Sequence, residues 1–101
     1  MKKFVRINEE EICSIDEFKD FRLDIGGVLH YIELIFDGGH RSVPFEITCF
    51  DNEDEISFCE EETRDTFADF VSFLKNDKIL FDFYSREKRV KYKLLNKQKQ
   101  V

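Results

Sequence analysis

The stretch from Phe50 to Phe70 is the part of this sequence best able to bind a ligand through charge. It holds nine acids and a single base, Arg64. Carboxylates at this density can bind a metal ion, attract a basic partner, or simply face water at the start of a helix. The acids are Asp51, Glu53, Asp54, Glu55, Glu60, Glu61, Glu62, Asp65 and Asp69.

A calcium loop of the EF-hand type is disfavoured by the spacing of these acids. That loop needs a glycine at position six and a glutamate at position twelve. Counted from Asp51, position twelve is Glu62, but position six is Ile56. Positions three and five are glutamates, whose side chains are one methylene too long. We therefore expect no metal site and no cofactor.

Half of the acidic stretch is explained by a helix, which we predict from about Glu60 to Lys75. Acids in its first turn would face free N–H groups and the positive end of the helix dipole. Ser57 and Glu60 also have the spacing of a capping box. The apolar stripe of this helix consists of Phe67, Phe70, Val71 and Leu74. Residues 51–55 instead read as an acidic turn, which either faces water or forms a docking surface.

The remaining segments predict an α+β domain in which this helix packs on one face of a twisted, meander-like antiparallel sheet of about five to seven strands. Asp37-Gly38-Gly39 reads as a hairpin turn, and Pro44 marks an edge strand or a bulge. We expect one domain over residues 1–95 and a frayed basic tail over residues 96–101. The predicted strands are "KFVRI", with "EICSI" as its continuation or as a second short strand, then "FRLDI", "VLHYIELIF", "RSVPFEITCF", "EISF", "ILFDFY" and "RVKYKLL".

Charge is divided unevenly along the chain. The net charge is −6, which opposes direct binding to nucleic acid and suits a basic protein partner. Residues 86–101 carry seven bases and one acid, so they contribute +6 and the rest of the chain contributes −12. The basic segment either lies beside the acidic body and neutralises it, or leaves the body exposed to steer a basic partner.

The N-terminal pattern, the length of the apolar runs and the cysteine spacing together predict a cytoplasmic protein with reduced cysteines. "FVRINEEE" turns acidic within a few residues, so we expect no signal peptide. The longest apolar run, Val28 to Phe36, is far shorter than the roughly 20 residues that span a bilayer. Cys13, Cys49 and Cys59 are widely spaced, and we expect three buried thiols.

Catalytic chemistry is not indicated. The two histidines, His30 and His40, are accompanied by no P-loop, nucleophile elbow, His-Glu-x-x-His or Cys-x-x-Cys pattern. His30 would share a strand face with apolar residues, which favours a half-buried or interface position over a catalytic base. We therefore predict that the protein is not an enzyme.

The segment "VLHYIELIF" is apolar on both faces, although one helix can cover only one of them. The second face must be covered by a curled sheet, a twin subunit or a partner. We predict a possible interface there, around Tyr31, Glu33 and Ile35.

In size, acidity and lack of catalytic motifs, the chain resembles two types of small inhibitor. They are the bacterial immunity proteins that neutralise toxin nucleases and the phage anti-CRISPR proteins that mimic nucleic acid. The resemblance implies a non-enzymatic inhibitor that docks on a basic, nucleic-acid-handling protein such as a nuclease or CRISPR effector. The residues that would replace phosphates are Asp51, Glu53, Asp54, Glu55, Glu60, Glu61 and Glu62. The alternative is a homodimeric structural or accessory domain of a bacterium or phage, in which charge serves solubility.

Overall fold

The computed structural model describes residues 2–99 and shows an α+β fold with six strands and two helices. The strands form two sheets of three, rather than the single larger sheet expected from the sequence. A single turn of 3₁₀ helix, Ile15–Glu17, joins β2 to β3. The elements are β1 (Phe4–Arg6), β2 (Ile12–Ser14), β3 (Phe18–Ile25), β4 (Leu29–Phe36), β5 (Arg41–Thr48), α1 (Glu53–Lys75), β6 (Leu80–Asp82) and α2 (Phe83–Lys99).

The larger sheet is an antiparallel meander with the order β3-β4-β5. The predicted hairpin turn is confirmed, and both Gly38 and Gly39 adopt a φ of 91°, which L side chains rarely tolerate. Pro44 lies in the edge strand β5, where the register with β4 shifts between Ile32 and Leu34. Pro44 therefore lies both in an edge strand and at a shift in strand register, which are the positions where a missing backbone N–H is tolerated.

The smaller sheet has the order β2-β1-β6 and brings the N-terminal segment beside the strand that precedes α2. β1 pairs antiparallel with β2 and parallel with β6. Val5 and Cys13 point from this sheet into the core, whereas Ile12 and Leu80 remain about half exposed.

The core lies between α1 and the inner face of the larger sheet, and its centre is aromatic. Phe70 of α1 is fully buried. Its ring contacts those of five other phenylalanines. These are Phe18, Phe21, Phe73, Phe81 and Phe83. The sequence-based apolar stripe is thus confirmed at its central residue.

The helix α1 begins seven residues earlier than predicted. Asn52 is its N-cap, and the Asn52 side chain accepts a hydrogen bond of 3.0 Å from the Glu55 N–H. The predicted strand "EISF" is therefore wrong, and so is the capping box of Ser57 and Glu60. The buried stripe of α1 extends back through Cys59 and Thr63, both fully buried. Packing of this stripe against the core therefore stabilises the helix over the acidic residues as well.

The segment predicted as the last strand is instead the helix α2. Val90 and Leu94 are buried at helical spacing, whereas Tyr92 is 67% exposed, which a strand alternation would not produce. α2 lies along the free edge of β5, where the Glu87 carboxylate accepts a hydrogen bond of 2.8 Å from the Glu46 N–H. Residues 96–99 of the expected frayed tail lie within α2, and residues 100 and 101 lie outside the described part of the chain.

Candidate functional site

Most acids of the 50–70 stretch lie on one of two sides of the helix α1. The side that faces water carries a set that we name the acidic face. In the described chain, only one of its members forms an ion pair. It is Glu60, which lies 3.9 Å from Arg64 in an exposed i, i+4 contact of little energetic value. The acidic face consists of Asp51, Glu53, Asp54, Glu60, Glu61 and Asp65.

Acids on the other side of α1 are paired with the basic helix α2. A carboxylate oxygen of Glu62 lies 3.5 Å from the Lys93 ammonium. Asp69 pairs with Arg86, whose guanidinium also donates to the Thr66 hydroxyl at 3.3 Å. The basic segment therefore does lie beside the acidic body, but it neutralises one side of α1 and leaves most of the acidic face open. Asp65 is the member that borders α2, in a small cleft lined by Arg86, Arg89 and Lys93.

Glu55 points inward and is built into the start of α1. Only 6% of the residue is exposed. Its carboxylate accepts hydrogen bonds from the Asn52 side chain and the Phe50 N–H, both at 3.0 Å, and from the Gln98 side chain at 2.9 Å. We therefore assign Glu55 to the structural junction between α1 and α2. Glu62 is excluded from the acidic face because it is paired with Lys93.

Glu55 should contribute to the pH dependence of stability. The hydrogen bond from Gln98 lowers the pKa of Glu55 below its ordinary value of 4.5, and the bonds from Asn52 and Phe50 act in the same direction against burial. A lowered pKa means that the stabilisation is present above about pH 4.5 and is lost as the pH falls through the folded-state pKa. Glu55→Gln should therefore be less stable than wild type at pH 7, and the difference should shrink below pH 4.5.

Urea unfolding between pH 3 and pH 7 measures this difference. Glu61→Gln, an exposed change six residues further along the same helix, is the matched control and should follow the wild-type curve. A Glu55→Gln protein whose stability differs from wild type by the same amount at every pH would contradict the assignment.

The outer face of the larger sheet carries the second predicted site. Glu33 is 6% exposed, and its Oε1 lies 3.0 Å from Arg22 Nε and 3.7 Å from an Arg41 terminal nitrogen. The Tyr31 hydroxyl donates to Asp24 at 3.2 Å, and Ile35 is half-buried. This face therefore presents a buried carboxylate beneath two exposed arginines, with apolar residues around them.

Histidine and cysteine side chains are placed away from solvent, with one exception. His30 is fully buried in the core, deeper than predicted, and neither ring nitrogen has a hydrogen-bond partner among residues 2–99. Burial raises the pKa of Cys13 to about 11 and that of Cys59 to about 12, so both thiols are protonated at neutral pH. His40 is the exposed one, and its ring stacks on Phe36 at a centroid distance of 5.0 Å.

A cleft of about 460 Å³ between the smaller sheet and the β4–β5 turn was not expected from the sequence. Its lining mixes charges, with the carboxylates of Glu11, Glu17 and Asp37 and the guanidinium of Arg41. Glu17 also accepts a 2.7 Å hydrogen bond from the Ser14 N–H, so part of this acidity is structural. The run of acids before β2 was the only sequence signal for this cleft.

No group of three or more His, Cys, Asp or Glu side chains in residues 2–99 is arranged to hold a metal ion. Neither described helix is long and apolar enough to cross a membrane.

Comparison with known proteins assigns the chain to no family. No family model matches it, and neither the curated proteins nor the solved structures give a significant match.

Proposed function

We propose that this protein is a small non-enzymatic inhibitor that docks through its acidic face on a basic, nucleic-acid-handling protein, such as a nuclease or a CRISPR effector. The single observation that carries the proposal is the sorting of acids on α1. One side of the helix is neutralised by α2. The other side, together with Asp51 just before the helix, presents six carboxylates, of which Glu60 pairs with Arg64 and Asp65 lines a small cleft with bases of α2. We place its action in the cytoplasm of a bacterium or of a phage-infected cell.

The number of carboxylates on the acidic face, rather than their spacing, is compatible with mimicry of a nucleic-acid strand. From Glu53 to Asp65 the helix rises by about 18 Å, at about 1.5 Å per residue. One strand of B-DNA carries a phosphate about every 3.4 Å along the axis, or roughly five over this length. The acidic face carries a similar number of carboxylates there. They are Glu53, Asp54, Glu60, Glu61 and Asp65.

A rigid helix is a suitable support for such a surface. The buried side of α1 is anchored by Cys59, Thr63, Thr66, Phe70 and Phe73, all at most 2% exposed. The carboxylates on the opposite side are therefore held near fixed positions along one axis. A dense patch of one sign raises the association rate with an oppositely charged partner and makes that rate fall with salt.

The proposal is tested by removing charge from the acidic face without changing its shape. The variant Asp51→Asn, Glu53→Gln, Asp54→Asn, Glu61→Gln should bind its basic partner at least about tenfold more weakly than wild type. A charge-matched control places four amides elsewhere: Glu9→Gln, Glu10→Gln, Asp16→Asn, Asp77→Asn. This control should bind as wild type does.

The measurement is an affinity capture from host lysate with nucleases added, at low and at moderate salt, followed by titration of the captured protein. We expect a basic nuclease or nucleic-acid-binding protein that is lost as salt rises and is lost from the acidic-face variant. Equal capture by that variant, or recovery of the protein alone, would overturn the proposal.

A homodimeric structural or accessory domain is the second candidate function. It is favoured by the outer face of the larger sheet, where Leu29 and Val43 remain 39% and 41% exposed beside the predicted interface of Tyr31, Glu33 and Ile35. Light scattering at high protein concentration tests this second function, since a firm monomer would exclude it.

A further inference from the structure

One edge of the larger sheet is unpaired within residues 2–99. β5 is shielded at its free edge by α2, through the hydrogen bond from the Glu46 N–H to Glu87. β3, at the opposite edge, pairs only with β4. An open edge of eight residues presents a row of backbone donors and acceptors on which another strand can pair.

The direction of the backbone groups in β3 follows from two hydrogen bonds. The Gly26 N–H donates to the Leu29 carbonyl at 3.0 Å and so points toward β4. Because backbone groups alternate along a strand, the N–H groups of Phe21, Leu23 and Ile25 point away from the sheet. The Phe21 N–H confirms this direction, since it donates at 2.8 Å to the side chain of Asp20 rather than to β4.

Only the first half of this edge is protected. A register shift between Phe18 and Asp20 disrupts the strand there, and the Asp20 carboxylate occupies the Phe21 N–H. Such irregularities and inward-turned charges are usual ways to block an edge. Leu23 and Ile25 have no comparable cover: their N–H groups form no hydrogen bond within residues 2–99.

We propose that the second half of β3 pairs with β3 of a second copy of this chain, antiparallel about a two-fold axis at Leu23. The two larger sheets then join into one continuous sheet of six strands. In this register Leu23 faces Leu23 of the partner subunit, and Arg22 faces Asp24 of the partner subunit. The Arg22–Asp24 contact occurs twice because the interface is symmetric.

Charge selects this register over its two neighbours, which have their axes at Asp24 and Arg22. An axis at Asp24 would oppose the two aspartates. An axis at Arg22 would oppose the two arginines and would also place Asp20 opposite Asp24 of the partner subunit. Like charges directly opposite each other destabilise a pair of strands. An axis at Phe21 would place both occupied Phe21 N–H groups at the centre of the interface and would run into the register shift. With the axis at Leu23, Phe21 lies at the ends of the pairing, where its carbonyl can still accept from the Ile25 N–H of the partner subunit.

The dimer is tested by sedimentation velocity over roughly 10 µM to 1 mM, because a short strand pairing buries a small interface. We expect a concentration-dependent monomer–dimer equilibrium. Asp24→Arg places a base opposite Arg22 and should weaken dimerisation at least about tenfold. Asp77→Arg makes the same change in charge at an exposed site after α1 and should leave the equilibrium unchanged.

A cysteine cross-link tests the register and does not depend on Asp24. Two thiols at the axis lie within the Cα separation of about 4.4–6.8 Å that a disulfide spans. With dioxygen as oxidant, two Leu23→Cys thiols give one disulfide, and their two protons and two electrons reduce half an equivalent of dioxygen to water. Ile25→Cys is the control, because its two copies would lie more than about 10 Å apart.

The expected result is a cross-linked dimer for Leu23→Cys and none for Ile25→Cys. A monomer at every concentration, a dimer that Asp24→Arg does not affect, or cross-linking of Ile25→Cys alone would each overturn the proposal. All three variants leave the acidic face intact, so their failure would not bear on the proposed inhibitor function.

Discussion

Replacing Phe70 with alanine is expected to lower the free energy of unfolding by about 4 kcal/mol, near the upper end of single core substitutions. The ring is fully buried and lies at the centre of the aromatic core. Its centroid is 4.9 Å from that of Phe83 and 5.1 Å from that of Phe21. Alanine would remove these aromatic pairs. It would also leave a cavity between α1 and the sheet that neither element can fill by moving. Aromatic pairs of this kind contribute about 0.5–1.5 kcal/mol beyond their burial.

Guanidinium unfolding followed by circular dichroism measures this loss. Phe70→Leu retains part of the volume and should cost less, so it provides a graded value if the alanine variant does not fold. Phe50→Ala is the control, because Phe50 is 63% exposed and its loss should change stability by no more than about 0.5 kcal/mol. A cost for Phe70→Ala no greater than that of Phe50→Ala would contradict the described core.

Replacing Lys3 with methionine is expected to cost about 3 kcal/mol, although the two side chains have similar length. Lys3 is 8% exposed, and its ammonium donates hydrogen bonds to three backbone carbonyls at the end of α1. The acceptors are Phe73 O at 2.8 Å, Asn76 O at 2.6 Å and Lys78 O at 2.6 Å. The positive charge of Lys3 also interacts favourably with the negative, C-terminal end of the α1 dipole. Methionine would leave these carbonyls without their donor in a site that largely excludes water.

The neighbouring residue supplies a close control for Lys3. Lys2 is exposed, so Lys2→Met removes the same charge and should change stability by less than about 0.5 kcal/mol. For a domain of this size, a loss of 3 kcal/mol corresponds to a fall in Tm of roughly 12–24 °C. Equal melting temperatures for the two variants would show that Lys3 does not lock the end of α1.

Phe70 and Lys3 both support α1, and therefore the acidic face. Phe70 anchors the middle of the helix on the sheet, and Lys3 ties its last turn to β1. The Asn52 and Glu55 side chains hold its first turn. The surface that we propose to bind a basic partner thus rests on a helix that is fixed at both ends and in the middle.

The sequence was enough to predict those parts of the fold in which a single residue type dictates the local backbone conformation. Only glycine readily adopts the positive φ found at Gly38 and Gly39, so the hairpin turn was visible from the sequence. Pro44 has no N–H to donate, which placed it at an edge with irregular register. The strand β4 was predictable because β-branched and aromatic residues dominate it.

The last helix was mistaken for a strand because its local pattern is ambiguous. In residues 90–94, apolar and lysine residues alternate, which matches a period of two as well as a helix with exposed lysines. Only tertiary contact separates these alternatives: Val90 and Leu94 pack into the core, and Tyr92 does not. The start of α1 was misplaced for a related reason. Cys59 and Thr63 are only weakly apolar, so the sequence pattern did not mark them as part of the buried stripe, and their burial is evident only in the folded structure.

For the candidate site, the sequence by itself determined which residue types are present, their excess of negative charge and the basic character of the C-terminal segment. It could not show which acids remain open. Tertiary structure decided that Glu55 is enclosed at a helix junction and Glu62 is paired with Lys93, while Asp54 and Glu61 face water. The physical reason is that exposure and pairing depend on where α2 packs, and residues some thirty positions apart carry no local signal of that contact.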